Sequence, residues 1–597
     1  MIILGIHDGH NATAAIIKDG EVLACASEER FSRIKNDAGY PIRAIEYLLA
    51  VTGMKSESID LVALSTKEQD PIGLRTKRDT LFKIPDFVRE MHEYWKPLLY
   101  ENKETDFWER IAEEPRFKNN GSLYNIDFIK NTPKEQWVSR FNEERCRLII
   151  DHLKIAKDKI ILVDHHTGHA YYAYYASPNR SSRKATIVTA DSWGDGCNAT
   201  ISIAENGKIT EVYRTAMCNM ARIYRWMTLL LGMKPNEHEY KVMGLAPYAQ
   251  DYVRNPAYKI FKETLVVDGL DFKWKNKPTD MYFYFREKFE GLRFDGIAAA
   301  VQLWLEELLI EWFTNIMKHT QTDILYYSGG LSMNVKANKT IAELPFIKDF
   351  YIPPSGGDES LAIGSAMVLA IEKGDQVLPL KNAYLGYAPS VEEAKEASLP
   401  FRNDPAYQVF DNPDVDMIAE LLVQGKVIGR CVGKMEFGAR ALGNRSILCN
   451  PSKHENLRII NEKIKFRDFW MPFTPSILKD RANDYLINPK DLGAPYMTLA
   501  FDSTALAREH IKAAMHPYDF TIRPQLVSPE LNLDYYNLIK AFEKKTGIGA
   551  VLNTSLNLHG SPIVCNAKDA IDTFIKSGLD GMLLPGLLIL KRDSVTY

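Results

Sequence analysis

The sequence predicts an α/β protein in two parts: a large N-terminal part of two related halves around a helical insertion, and a smaller C-terminal α/β part. Three observations carry this. A strand, Asp-Gly loop and hairpin pattern at residues 2–20 recurs at residues 185–207. The stretch between the copies, about residues 66–150, is charged and aromatic at helical spacing, with Trp95, Trp108 and Trp137. Near residues 373–391 the chain turns to Gly, Pro and Asp before strands and helical stretches alternate again, which sets the parts at 1–378 and 379–597.

In the first copy an apolar run leads into Asp8-Gly9-His10-Asn11-Ala12-Thr13 and then a turn at Asp19-Gly20. In the second, a β-branched run leads into Asp195-Gly196-Cys197-Asn198-Ala199-Thr200 and a turn at Asn206-Gly207. The Asn-to-Gly separation is nine positions in both. Asp-Gly and Asn-Gly supply the positive φ that primed hairpin turns require. Exposed N–H groups in such loops suit phosphate, and two facing copies would pinch a nucleotide. Duplicated hairpins of this kind resemble the actin, sugar-kinase and acetate-kinase superfamily. A third strand, residues 324–327, ends in Ser328-Gly329-Gly330 and runs on to Asn334, a glycine turn able to admit a ribose or phosphate to the backbone.

Composition bounds the function. The chain has 597 residues, a prior of about four folding units. Its 46% hydrophobic and 25% charged residues are ordinary for a soluble globular protein. Lys and Arg number 74 against 77 Asp and Glu, so a net charge of -3 offers no overall field for nucleic acid. No apolar run reaches the roughly 18 residues of a membrane span; the best, 582–590, is broken by Pro585 and Gly586. The N-terminus lacks a basic region and cleavage site, and seven scattered cysteines form no Cys-x-x-Cys pair. Together these predict a cytoplasmic protein without a cysteine zinc site.

His165 and His169 follow a strand at 159–163 and are four apart, so on a helix both imidazoles share one face and can share a metal. Asp191 and Asp358 lie in two other loops; two imidazoles with one or two carboxylates suit iron, manganese or zinc. His10, in the first Asp-Gly loop, is a candidate general base or a loop histidine bonded to backbone. Lys241, beside Gly and Pro, is compatible with a loop lysine near phosphate, or with an ordinary solvated one.

The C-terminal part carries Arg440 and Arg445 in a Gly-rich turn at 434–446, Lys465 and Arg467 just beyond, Arg523, and then Asn553 and Ser555 at the end of a strand. Arginines inside Gly-bounded turns between apolar strands favour an anion pocket. Strands are expected at 426–432, 496–501 and 548–552.

Taken together, the opening strand with His10, residues 27–31, His165-x-x-x-His169, 238–248, 328–334, 355–360, 436–446 and 552–557 resemble the O-carbamoyltransferases of nodulation-factor, antibiotic and surface-glycan biosynthesis over essentially the whole chain. The resemblance implies an N-terminal domain similar to the actin-like tRNA threonylcarbamoyladenosine synthase (TsaD) and a C-terminal domain similar to YrdC. It implies that Arg440, Arg445, Lys465, Arg523, Asn553 and Ser555 bind carbamoyl phosphate and ATP, taken with Mg, and yield carbamoyl adenylate. On the residue reading above, Lys241, Ser328, Gly329, Gly330 and Asn334 are the candidate nucleotide contacts of the first domain. His165, His169, Asp191 and Asp358 would hold a divalent metal, Fe(II), and His10 would deprotonate a small-molecule or glycan hydroxyl. Two departures stand out: Ala439 replaces the family's usual Pro, and the segment 516–523 differs from the usual approach to its arginine. A sugar kinase or ATPase of the same superfamily, and a nucleotide-switched binding protein, are the alternatives. The oligomeric state is left open.

Overall fold

The computed structural model describes residues 1–180, 182–465 and 468–592. They divide into two compact units, one of Met1–Ser32 with Asn36–Leu380, the other of Arg33–Lys35 with the chain from Lys381 onward.

The first unit contains two five-stranded sheets. Strands β1 (Ile2–His7), β2 (Thr13–Lys18), β3 (Glu21–Ser27), β4 (Leu61–Ser65) and β5 (Ile160–Val163) are ordered β3-β2-β1-β4-β5. In the second sheet β6 (Ala185–Gly194), β7 (Cys197–Glu205) and β8 (Lys208–Thr215) form the meander. After a separate hairpin of β9 (Leu265–Asp268) and β10 (Asp271–Trp274), strands β11 (Ile324–Ser328) and β12 (Asp349–Tyr351) complete the order β12-β11-β6-β7-β8. The sheets match strand for strand, each with an antiparallel meander followed by two parallel strands. That duplication is the actin-like arrangement the sequence predicts.

The hairpins form where the turn chemistry places them. Asp19-Gly20 has φ of 49° and 80°, and Asn206-Gly207 has 51° and 77°, the two positive values of a type I′ turn. The loops that precede them differ. His7 pairs with Thr13, but between Thr189, which pairs with Thr200, and the Asp195-Gly196 tip the second sheet carries an irregular stretch.

Each half ends in a helix that packs on the other half's sheet. His165–Tyr175 follows β5 and lies on β6 and β11; Leu361–Glu372 follows β12 and lies on β1, β2 and β4. The two helices cross at Gly364, where an added Cβ would stand 2.2 Å from the Gly168 carbonyl oxygen. Between β4 and β5 the chain runs through short helices to the long helix Trp137–Leu153, whose Phe141, Ile149 and Leu153 enter the core of the first sheet.

The second unit holds a mixed sheet. Its strands are β13 (Tyr407–Asp411), β14 (Ile428–Cys431), β15 (Arg445–Cys449), β16 (Thr474–Leu478), β19 (Gln525–Val527), β20 (Ala550–Ser555), β21 (Gly581–Leu584) and β22 (Leu587–Lys591). The order is β13-β22-β21-β14-β15-β20-β16-β19, while β17 (Leu486–Ile487) and β18 (Asp502–Ser503) pair separately. The strand expected at 496–501 does not form. Its residues are buried, but Met497 takes a φ of 59°, which breaks the extended path, and only Phe501 makes a bridge, to Ile522. Among the described residues no helix is long and apolar enough to cross a membrane.

Candidate metal centre and active site

His165 and His169 occupy the first two turns of their helix, whose N-cap Asp164 accepts the Thr167 N–H. Asp191 leaves β6, and Asp358 opens the short turn before the helix Leu361–Glu372. One ligand atom from each of the four lies within 4.8 Å of the others. His169 Nε2 is 3.6 Å from both carboxylates, and His165 Nε2 is 3.7 Å from Asp358. Both Nε2 atoms are buried and have no hydrogen-bond partner among the described residues. The opposite nitrogens are oriented: His165 Nδ1 lies 3.2 Å from the Thr66 hydroxyl, and His169 Nδ1 lies 3.4 Å from the hydroxyls of Ser328 and Ser360.

The electrostatics follow from burial. Desolvation holds His169 below the ordinary imidazole range. Burial, then the neighbouring Asp191 charge, pushes Asp358 up to about 7. Burial also opposes ionisation of Asp191, but the histidines and the N–H groups of Gly330 and Ser192 bring it below the usual carboxylate range. Two imidazoles with unpartnered Nε2 atoms, facing two crowded carboxylates, are a donor set that fits a divalent cation.

The Ser-Gly-Gly turn builds this cluster. The Gly330 N–H donates to Asp191 at 2.6 Å, and Gly194, beside the His165 ring, leaves no room for a Cβ, which would stand 2.3 Å from that ring. Asn334 caps the helix Val335–Ala342 and exchanges hydrogen bonds with Gln302. Lys241, read as a loop lysine, is instead buried within the helix Glu239–Leu245, because the Pro that suggested a loop lies six residues on.

His10 lies half-buried between β1 and β2, and its Nδ1 has no hydrogen-bond partner among the described residues. Sequence reasoning missed Asp195's task. Read as part of a phosphate loop, its carboxylate accepts the main-chain N–H groups of Lys67, Glu68 and His165. It also missed Thr66, for which no motif exists.

In the second unit the Gly-rich turn is organised by Glu436, whose carboxylate accepts the N–H groups of Leu442, Asn444 and Arg445. Arg445 is fully buried. Its guanidinium donates to the carbonyls of Cys565, Val432, Gly433, Asn444 and Tyr387, so it braces the turn's backbone where an anion contact was expected. Arg440 is half-buried on the same turn. Asn553 donates to Ala441 O and Ser476, and its own buried Oδ1 lacks a partner among the described residues. Thr474, opposite Asn553 in the register of β16 and β20, accepts from Arg523, so the sheet brings Arg523 and Asn553 together. Ser555 donates to Asn557 and pairs in register with Ser446. The side chain of Lys465 and all of Arg467 lie outside the described residues.

A duplicated actin-like unit with a largely buried two-His, two-Asp cluster, followed in the same chain by an α/β unit, defines the class. Residues 2–367 match the family described as carbamoyltransferase N-terminus, and residues 419–591 that described as carbamoyltransferase C-terminus. The chain belongs to the carbamoyltransferase family. It is 31% identical to the uncharacterized protein MJ1051 of Methanocaldococcus jannaschii, over 99% of this chain and 100% of that one. It is 28% identical to the nodulation protein NolNO of Sinorhizobium fredii, over 98% of this chain and 79% of that one. Among solved structures, full-length HypF in its phosphate- and nucleotide-bound form aligns with a TM-score of 0.32 at 11% identity, over 63% of this chain and 56% of that one.

Proposed function

We propose that the protein is an ATP- and carbamoyl-phosphate-dependent O-carbamoyltransferase whose second unit makes carbamoyl adenylate and whose first unit transfers the carbamoyl group to a small-molecule or glycan hydroxyl. The observation that carries this reading is that one chain matches both carbamoyltransferase halves and brings ligand atoms of His165, His169, Asp191 and Asp358 within 4.8 Å of one another.

In the second unit, carbamoyl phosphate, ATP and water give carbamoyl adenylate, phosphate and pyrophosphate. Arg440, Arg523, Asn553 and Ser555 would meet these anions, and Arg445 and Glu436 hold the turn that carries Arg440. In the first unit His10 takes the acceptor's proton, the acceptor oxygen bonds to the carbamoyl carbon, and the bond from that carbon to the phosphate oxygen breaks, releasing AMP. A divalent ion, Fe(II) in this reading, held by the four-residue cluster would supply positive charge to the adenylate's phosphate. Because the adenylate is a labile mixed anhydride, making and consuming it in one chain limits its loss to water. ATP and carbamoyl phosphate are intracellular, which sets the reaction in the cytoplasm.

The test is product analysis. With metal present, the full chain should form AMP from ATP only when carbamoyl phosphate is added; ADP, or AMP formed without carbamoyl phosphate, sinks the reading. His10→Ala should retain carbamoyl-phosphate-dependent pyrophosphate release and lose carbamoylated acceptor.

A further inference from the structure

The helical insertion carries one residue that its own sequence pattern marks as out of place. Phe141, Arg145, Ile149 and Leu153 are spaced by four along the helix Trp137–Leu153 and share its buried face, so an arginine stands where that face is otherwise apolar. Arg145 is fully buried, as is its partner Asp8, two residues before His10.

All five guanidinium N–H groups are used. Nε donates to Asp8 Oδ2 at 2.8 Å and Nη2 to Asp8 Oδ1 at 2.7 Å. The second Nη2 hydrogen goes to the Ser65 carbonyl at 2.7 Å, and Nη1 serves the Thr66 carbonyl at 2.8 Å and Asn142 at 2.9 Å. Lysine has three donors on one atom and cannot reproduce that fork. Tyr124, also from the insertion, donates to Asp8 at 2.5 Å.

From Arg145 two chains of contacts diverge. Toward His10, the Ser65 hydroxyl meets His7 Nδ1 at 2.8 Å, and His7 Nε2 meets the His10 carbonyl at 3.1 Å. Burial pushes His7 down to about 3, so it is neutral; the carbonyl can only accept, hence Nε2 carries the proton and Nδ1 accepts from Ser65. Toward the cluster, the Thr66 hydroxyl lies 3.2 Å from His165 Nδ1, and with Nε2 facing the cluster it accepts the Nδ1 proton. Thr66 holds a φ of 65°, a left-handed conformation costly for a β-branched residue and sustained only where its surroundings over-determine it. The Arg145 bond to its carbonyl and its own N–H bond to Val163 O supply that constraint.

We propose that Arg145 is a positioning residue: it locks the His10 loop and the Thr66 backbone that orients His165 into one rigid unit, fixing the base relative to the metal-type cluster. This rests on the metal reading given under Proposed function.

The test is titration of the full chain with Co(II) alone, read by its visible absorption bands and by calorimetry, on the unmodified protein and on Thr66→Val, Asp8→Asn and Arg145→Lys. Thr66→Val should weaken Co(II) binding about 10–100-fold, as loss of an orienting partner does. Asp8→Asn and Arg145→Lys touch no ligand, yet should alter the absorption bands and weaken binding by about tenfold through Thr66. Asp8→Asn is isosteric and decides the matter should Arg145→Lys fail to fold. Folded Asp8→Asn with the Co(II) bands and affinity of the unmodified protein overturns the inference while leaving the metal reading intact. Unmodified protein that binds no Co(II) overturns the metal reading, and the inference with it.

Discussion

Asp195 accepts the main-chain N–H of His165 at 2.7 Å, joining the hairpin tip of one half of the first unit to the start of the helix that carries the histidine pair. The same carboxylate takes the N–H groups of Lys67 and Glu68 at 3.0 and 2.7 Å, so both oxygens are engaged. An asparagine there would turn one oxygen into a donor facing a donor. Asp195→Asn should cost about 2–3 kcal/mol of stability, measured by chemical denaturation, and should loosen the His165 turn, read as faster amide hydrogen exchange at residues 165–169. Unchanged stability and exchange would remove Asp195 from this role.

The crossing of the two central helices allows no side chain. An alanine at 364 would place its Cβ 2.2 Å from the Gly168 carbonyl oxygen, against backbone that both sheets hold in place. Gly364→Ala is expected to destabilise the protein by about 2–3 kcal/mol, seen as a lower denaturation midpoint.

The arginines of the second unit divide by burial. Arg445→Met leaves several buried carbonyls without donors and should cost about 3–5 kcal/mol, detected as a large fall in Tm. Arg440→Ala and Arg523→Ala should instead raise the KM for carbamoyl phosphate tenfold or more with a small change in Tm, because both side chains are half-buried. The opposite pattern would exchange the roles.

Glu239 gives a stability term with a definite sign. Burial pushes its carboxyl up to about 7 from an ordinary value of 4.5. The folded state therefore favours the protonated form. This contribution is fully present below about pH 4.5 and is lost as pH rises through 7. Glu239→Gln should match the unmodified protein near pH 5 and exceed it by roughly 1–3 kcal/mol at pH 8. Parallel stability curves for the two proteins across that range would refute it.

Metal content tests the cluster directly. As-purified protein and the His169→Ala and Asp358→Ala variants should be compared by elemental analysis, with loss of bound divalent metal expected in both variants. Metal retained at the unmodified stoichiometry by both would place it elsewhere.

The primed turns at Asp19-Gly20 and Asn206-Gly207, and the pairing of His165 with His169 on one helix face, were legible because they depend on φ preferences and spacing within a few residues. The duplicated sheets followed from repeating those local units. The conflicting assignments share a different origin. Asp191 and Asp195 lie four residues apart, yet the first turns to the histidines and the second to three main-chain N–H groups, a division set by the irregular end of β6. Residues 496–501 read as a strand because they are apolar, but a left-handed Met497 interrupts them.

By itself the sequence determined the two-part α/β architecture, the repeated hairpins, the family and the residue types available for chemistry. Only the tertiary structure decided which of those residues meet. It brought Asp191 and Asp358 to the histidines, enclosed Arg445 in carbonyls, and joined Arg145 to Asp8 across 137 positions of chain. The physical reason is range. Backbone conformation answers to near neighbours, whereas the partner of a buried charge or an orphaned nitrogen is chosen by the packing of elements far apart in the chain, which no local pattern encodes.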